Sequence, residues 1–362
     1  MLAYSVVLIT CFLLLLLART LAARQRLRVA LACALVLTTF AILRGHVGTD
    51  TYAYHLMYSD NADQDFGYLL EIVEPIFALL IGMVAALSGE SFAFVIAIGL
   101  LQGLLLMQLI KSSRSPVDFL MIYIGIFYLS FQFNVLRAGT GILFLLMASR
   151  VPREERNQAQ FYFFGVAAVL SHYSTLLAFI PMLFLRIPLS NPKALIPAIS
   201  LMTAGAYYFL VFSWEAIGAK YLIYSDLLAP DVTNTLSMTF ILGLPIYLAI
   251  FTTAVTRKKW IGLAFLLAVW IGLRWLTSIF SLAGRVEMIV NAMLLFYMIE
   301  IPSDGWRKKL RGFSVSVLTV MWVAAALFGL ANEDKIMTNL DVVSDVYLSS
   351  PFTPYHFIWE IK

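Results

Sequence analysis

The residues that could do chemistry in this chain are few, and they stand between long apolar runs. The densest group is Arg44-Gly45-His46-Val47-Gly48-Thr49-Asp50-Thr51-Tyr52-Ala53-Tyr54, where a guanidinium, an imidazole, a carboxylate and several hydroxyls follow two hydrophobic stretches. Further along come Arg137, Arg274 and Arg285, each set in apolar sequence, and His172 within Leu170-Ser171-His172-Tyr173-Ser174. An arginine near hydrocarbon is costly and faces a partner or a water-filled cavity. Its planar fork keeps its charge and donates parallel hydrogen bonds, which suits a phosphate. Arg44, Arg137, Arg274 and Arg285 at one depth would make a clamp for a diphosphate. Each alone also fits pairing with a carboxylate such as Glu287. Asp50 offers a general base for a hydroxyl or an anchor for sugar hydroxyls, and equally a turn-capping carboxylate. His172 fits proton transfer, hydrogen bonding to a phosphate or sugar, or a structural donor.

Other chemistry is absent from the sequence. There is no P-loop, no GxSxG, no HExxH, no Cys/His metal spacing and no basic-aromatic surface for nucleic acid. Asp63-Gln64-Asp65 matches the short DxD pattern, but any acidic loop does so, and the expectation is no metal and no soluble cofactor. Cys11 and Cys33 lie inside apolar spans and read as small hydrophobes. Gly99 and Gly103 form a GxxxG, which reads as close helix packing.

The elements that must position these groups are membrane helices. Of 362 residues, 61% are hydrophobic and 13% charged, with a mean hydropathy of +0.88. Soluble domains carry about a quarter charged residues, so the chain reads as one integral membrane domain over 1–362. Apolar runs fall near 2–18, 29–43, 91–110, 117–132, 135–149, 159–171, 173–187, 194–213, 238–256, 260–280, 286–301 and 313–330. Basic clusters lie between them: Arg19 to Arg28, Lys111/Arg114, Arg150 to Arg156, Arg186/Lys193, Arg257 to Lys259 and Arg307 to Arg311. The positive-inside rule puts all of these in the cytoplasm. Met1–Ala18 lacks a basic leader, and its arginines follow the apolar run, which reads as an uncleaved helix with its N-terminus outside. The Arg44 loop is then outside and Lys111 inside, so the apolar stretch near 67–88 must enter and leave on the outer side. Its run from Pro75 to Leu87 is too short to span. The expectation is an all-α polytopic protein of about 12 spans plus a re-entrant or interfacial segment. Outer loops fall at 44–66 and 214–237, with an outer tail at 331–362.

Several stretches together resemble the EpsG/Wzy-like family of bacterial polysaccharide polymerases. They are Arg44…Val47-Gly48-Thr49-Asp50-Thr51…Tyr54, Asp65-Phe66-Gly67-Tyr68, Phe133-Asn134-Val135-Leu136-Arg137, His172-Tyr173-Ser174 and Gly284-Arg285. Two positions depart from the commonest pattern: Ala138 stands where a Gln is usual, and Asp65 where a Glu is. Neither removes a charge assigned to the site.

The resemblance implies a GT-C-like glycosyltransferase of the bacterial inner membrane, with its site facing the periplasm or cell exterior. It would move a growing glycan from a polyprenyl-pyrophosphate carrier onto the next lipid-linked repeat. Asp50 and His172 would be the catalytic pair. Arg44, Arg137, Arg274 and Arg285, with Thr49, Tyr54 and Asn134, would hold substrate and pyrophosphate. The implied partners are the lipid-linked oligosaccharide, the bilayer, and a chain-length regulator and flippase of the same pathway. Competing readings are a flippase for the same lipid, an O-antigen-type ligase or another GT-C enzyme, and a membrane O-acyltransferase. A transporter should show repeats and mid-membrane charges, and no repeat is visible.

Overall fold

A computed structural model of the chain describes residues 2–44, 51–152, 154–176, 178–179, 182–183, 238–254, 267–268, 270–272 and 281–337. The described elements are all helical, with no strand among the described residues. Helices α1 (Leu2–Ala18) and α2 (Ala23–Ile42) form a pair, and α2 starts well inside the basic flank that precedes its apolar run. Short helices α3 (Thr51–Ser59), α4 (Phe66–Ile72) and α5 (Pro75–Leu87) precede the long α6 (Ser91–Ser112). Helix α7 (Pro116–Ile122) continues through two π-helical turns, Tyr123–Phe127 and Ser130–Asn134, into α8 (Leu136–Arg150). Then come α9 (Gln158–Ser171), a 3-10 turn at Tyr173–Thr175, α10 (Met238–Ala254), α11 (Ser281–Glu300) and α12 (Gly305–Met337).

Among the described residues, α2 and α6 are long and apolar enough to cross a membrane. The stretch expected to be re-entrant consists of α4 and α5, two short helices broken at Val73–Glu74. Asp65 begins the first by accepting the Tyr68 N–H at 3.1 Å, so its half of the DxD pattern acts as an N-cap. Pro75 opens the second, where its missing N–H costs nothing. Gly89, at φ 72°, turns the chain from α5 into α6 through a left-handed backbone that glycine alone adopts freely. Helix α12 runs to Met337, into the stretch read as outer tail. The expected spans at 194–213 and 260–280 and the 214–237 loop fall largely or wholly outside the described residues.

Two packed clusters hold the fold. The larger joins α1, α2, the Lys111 half of α6, and α7 to α12; α8 is buried from Leu136 to Ala148 apart from Arg137. Lipid is as apolar as leucine, so such helices associate through tight packing rather than water exclusion. The α2–α6 contact is of that kind. A methyl added at Gly99 would collide with Ile42, and one at Gly103 with Thr38. The smaller cluster joins Tyr54, Tyr58, Leu69, Val73, Phe77, Ile81, Phe94 and Ile98 from α3 to α6, with Leu136 from the tip of α8.

Four of the basic clusters meet at one end. Arg19 pairs with Asp118 at 2.6 Å, and Glu300 takes Arg150 at 2.7 Å and the Arg114 N–H at 2.9 Å. Buried Arg311 donates to the carbonyls of Met298, Ile299 and Ile301, where α11 ends. Charges scattered across the sequence thus gather on one side, as the positive-inside pattern requires. Their pairing also explains how α7 and α8 form a hairpin. Arg150, at the end of α8, stacks 4.6 Å over Phe119 at the start of α7.

The hairpin reverses at Val135 and stops level with Gln102, midway along α6. The last carbonyls of a helix lack intrahelical donors and, buried, each needs a partner. Side chains from three elements supply them. Gln102 Nε2 donates to Phe131 O at 3.0 Å and Leu136 O at 2.9 Å, Arg44 donates to Gln132 O, and Thr51 Oγ1 donates to Phe133 O at 3.2 Å. Gln102 is fully buried, so Gln102→Met keeps the volume but takes the Gln102 donor from Phe131 O, while Leu136 O keeps the Thr140 hydroxyl at 2.8 Å. The substitution is expected to lower stability by about 2 kcal/mol, read as a lower melting temperature in detergent.

Candidate functional site

The seam between the two clusters, at the tip of the α7–α8 hairpin, holds a polar constellation. At its centre is Glu74, 5% exposed, on the N-terminal shoulder of α5. Its Oε2 accepts from Arg137 Nη1 at 2.7 Å, and its Oε1 lies 2.9 Å from His172 Nδ1. Arg137 sits in the first turn of α8, and His172 ends α9 in an extended conformation, φ −164°, before the 3-10 turn. Each group is placed by a helix end rather than a helix face, where a side chain can leave the packing of its own helix.

The surroundings fix the geometry. Tyr54, 6% exposed, accepts the Arg137 backbone N–H at 3.2 Å through its hydroxyl. Gly141 lets α8 approach the His172 turn, because a Cβ there would meet Thr175 Cγ2 at 2.7 Å and Ala168 O at 3.1 Å. Glu74 falls between two short helices, outside the spans. Burial works to raise its carboxyl, but the hydrogen bond from His172 and the charge of Arg137 outweigh this and hold it below the usual carboxylate value. A carboxylate can only accept, so His172 Nδ1 carries the proton in that contact. In the neutral ring, His172 Nε2 is then the acceptor side. It is buried without a hydrogen-bond partner among the described residues, as are Ser174 Oγ and both amide atoms of Gln132. The Arg137 side chain stays 35% exposed, so one nitrogen is held by Glu74 while the group still faces open space.

The residues expected at the site divide as follows. Arg137 and His172, read as separate polar spots, are brought onto one carboxylate. Tyr54 supports Arg137 from beneath. Arg44 is 2% exposed, donates to Gln132 O and lies 4.8 Å from the centre of the Phe133 ring, so it holds the hairpin tip. Arg285 lies on α11, which packs against the Tyr173–Thr175 turn beside His172; its side chain is outside the described residues, as is that of Asn134. Thr49, Asp50 and Arg274 lie outside the described residues altogether. A site facing the periplasm or cell exterior would put His172 near the outer ends of the spans. It sits instead beside a hairpin tip level with the middle of α6, because α7 and α8 stop short and α3 to α5 fill the space beyond. Glu74 was not singled out for the site. The one signal was an acidic residue directly before the proline that opens an apolar helix, a position where a buried carboxylate needs a partner.

Apolar helices throughout the described residues, with Arg137 and His172 gathered on a buried Glu74 among them, mark a membrane protein with a polar site between its helices. The chain belongs to the EpsG family, whose sequence profile matches residues 27–339, most of its length. That family is associated with polysaccharide polymerisation. No curated protein and no solved structure matches the chain significantly.

Proposed function

We propose that the protein is a glycosyltransferase of the bacterial cytoplasmic membrane, with about 12 spans in a GT-C-like arrangement and its site open to the outer face. It transfers a growing glycan from a polyprenyl-pyrophosphate carrier to the next lipid-linked repeat unit. The observation that carries this reading is the meeting of Arg137 and His172 on buried Glu74. A cation and a proton acceptor at a fixed separation are what this reaction needs.

A hydroxyl of the acceptor sugar attacks the anomeric carbon of the donor glycan, and the bond from that carbon to pyrophosphate breaks. The electron pair leaves on the pyrophosphate, already a good leaving group, so charge stabilisation matters more than an acid. Arg137 supplies that charge, and Arg285 on the adjoining α11 is the second candidate. The hydroxyl proton passes to a base, for which Asp50 and His172 are the candidates. The donor carries its own activation, so no nucleotide is consumed. A chain-length regulator and a flippase would act on the same lipid-linked glycan.

Deletion of the gene, read on a gel of surface polysaccharide, tests the reaction class. The expected result is loss of the long-chain ladder with single capped repeats retained. Complete loss of surface repeats would point to a flippase or ligase, and a change in acetylation alone to an acyltransferase; either would overturn the reading.

A further inference from the structure

We propose that Glu74 is the positioning residue that makes His172, rather than Asp50, the general base of the glycosyl transfer, and that it ties this base to the pyrophosphate-binding arginine. The inference rests on the reading of the site given above and assigns the proton that reading left between two groups.

The geometry is that of an oriented imidazole. Glu74 Oε1, 2.9 Å from Nδ1, selects the form of His172 with the proton on Nδ1 and turns Nε2 away from the carboxylate. Nε2 is buried and has no hydrogen-bond partner among the described residues. A buried polar atom of this kind is unusual in a folded protein and calls for a partner that arrives later. A substrate hydroxyl meets that description. In the step itself, the O–H bond of the acceptor sugar breaks and its proton moves to Nε2. The oxygen forms a bond to the anomeric carbon, and polyprenyl pyrophosphate departs with the electron pair.

The imidazolium so formed lies beside the Glu74 carboxylate, which stabilises it. The other oxygen of the same carboxylate holds Arg137 at 2.7 Å. Base and phosphate ligand are therefore set by one side chain, which is itself anchored at the start of α5. Before the step, Glu74 and Arg137 cancel in charge. After proton transfer the trio carries one net positive charge, at the moment the departing pyrophosphate, already anionic, gains one further negative charge. The carboxylate is 6% exposed, so it acts in a setting where little water screens the pair.

The test uses the full-length protein, purified in detergent, with a defined polyprenyl-pyrophosphate-linked oligosaccharide as donor and acceptor. Glu74→Gln is expected to lower kcat by about a hundredfold or more with KM within about threefold, since orientation is felt mainly in the chemical step. Glu74→Asp keeps the charge and restores part of that loss. The double variant Glu74→Gln/His172→Ala is expected to fall below His172→Ala by far less than Glu74→Gln costs on its own, because the larger part of what Glu74 does passes through His172 and the rest through Arg137. A purely structural Glu74 would instead give additive losses and a changed KM. If Glu74→Gln does not fold, the comparison of Glu74→Asp with Glu74→Asp/His172→Ala reads the same coupling. Normal turnover by Glu74→Gln with His172→Ala inactive would overturn this inference and leave the glycosyl-transfer reading standing. Normal turnover by His172→Ala would overturn the assignment of the base. Failure of the wild-type protein to extend the lipid-linked repeat would overturn the underlying reading itself.

Discussion

Arg137→Ala is expected to abolish long-chain product, lowering kcat/KM by about a hundredfold or more, as loss of a charge-stabilising donor does. The effect has two sources. The pyrophosphate loses its cation, and Glu74 is left buried with His172 as its remaining partner. Breaking a fully buried pair costs about 3–5 kcal/mol, but the Arg137 side chain is a third exposed, so about 1–2 kcal/mol is the reasonable expectation here. Arg137→Lys separates the two. It keeps a positive charge beside Glu74, and with it most of the stability, but replaces the flat fork with a point charge. The lysine variant is expected to melt within a few degrees of wild type and still to lose most of its polymer. A lysine variant with a full ladder would mean that charge alone suffices.

Gly139→Ala is expected to have the largest effect of any single methyl at the hairpin tip. A Cβ there would lie 2.8 Å from Phe131 Cβ and Phe131 O, and 2.9 Å from Phe131 Cα. Two of those atoms belong to the backbone, so no rotamer change relieves the contact, and α8 must move off the π-helical end of α7. Overpacking of this kind costs about 1–3 kcal/mol. Arg137 lies two residues away in the same turn. A shift of about 1 Å at a reacting group can cost a hundredfold in rate, so activity should fall more than stability. Gly82→Ala is the control. Nothing lies within 4 Å of its Cβ position, and a helical Gly→Ala change gains about 0.5–1 kcal/mol. Melting temperature and product ladder, measured on both variants, should separate them clearly.

The two variants also mark how far the amino-acid sequence could be read. Helix α1 and the short α5 carry the residue limits that their apolar runs imply, and α8 begins and ends one residue from its run. The gathering of Arg19, Arg114, Arg150 and Arg311 at one end follows from charge placement alone. The roles of Arg44 and Thr51 did not. They hold carbonyls freed where α7 ends in π-helical turns, and a run of apolar and aromatic residues looks the same whether it winds at 3.6 residues per turn or wider. Glu74 was hidden for a different reason. Its partners are 63 and 98 residues away, and its own neighbours mark only a helix start. A helix such as α8, buried on nearly every side, has no polar stripe to show which face meets which neighbour.

The proposed seat of glycosyl transfer is the trio Arg137, Glu74 and His172. Its most direct test is release of polyprenyl pyrophosphate by purified protein given a defined lipid-linked repeat, followed together with glycan length. Wild type is expected to release carrier and lengthen glycan in step, while His172→Ala and Arg137→Lys, folded as well as wild type, do both at a small fraction of that rate. Carrier release and chain growth at the wild-type rate in those two variants would contradict the account.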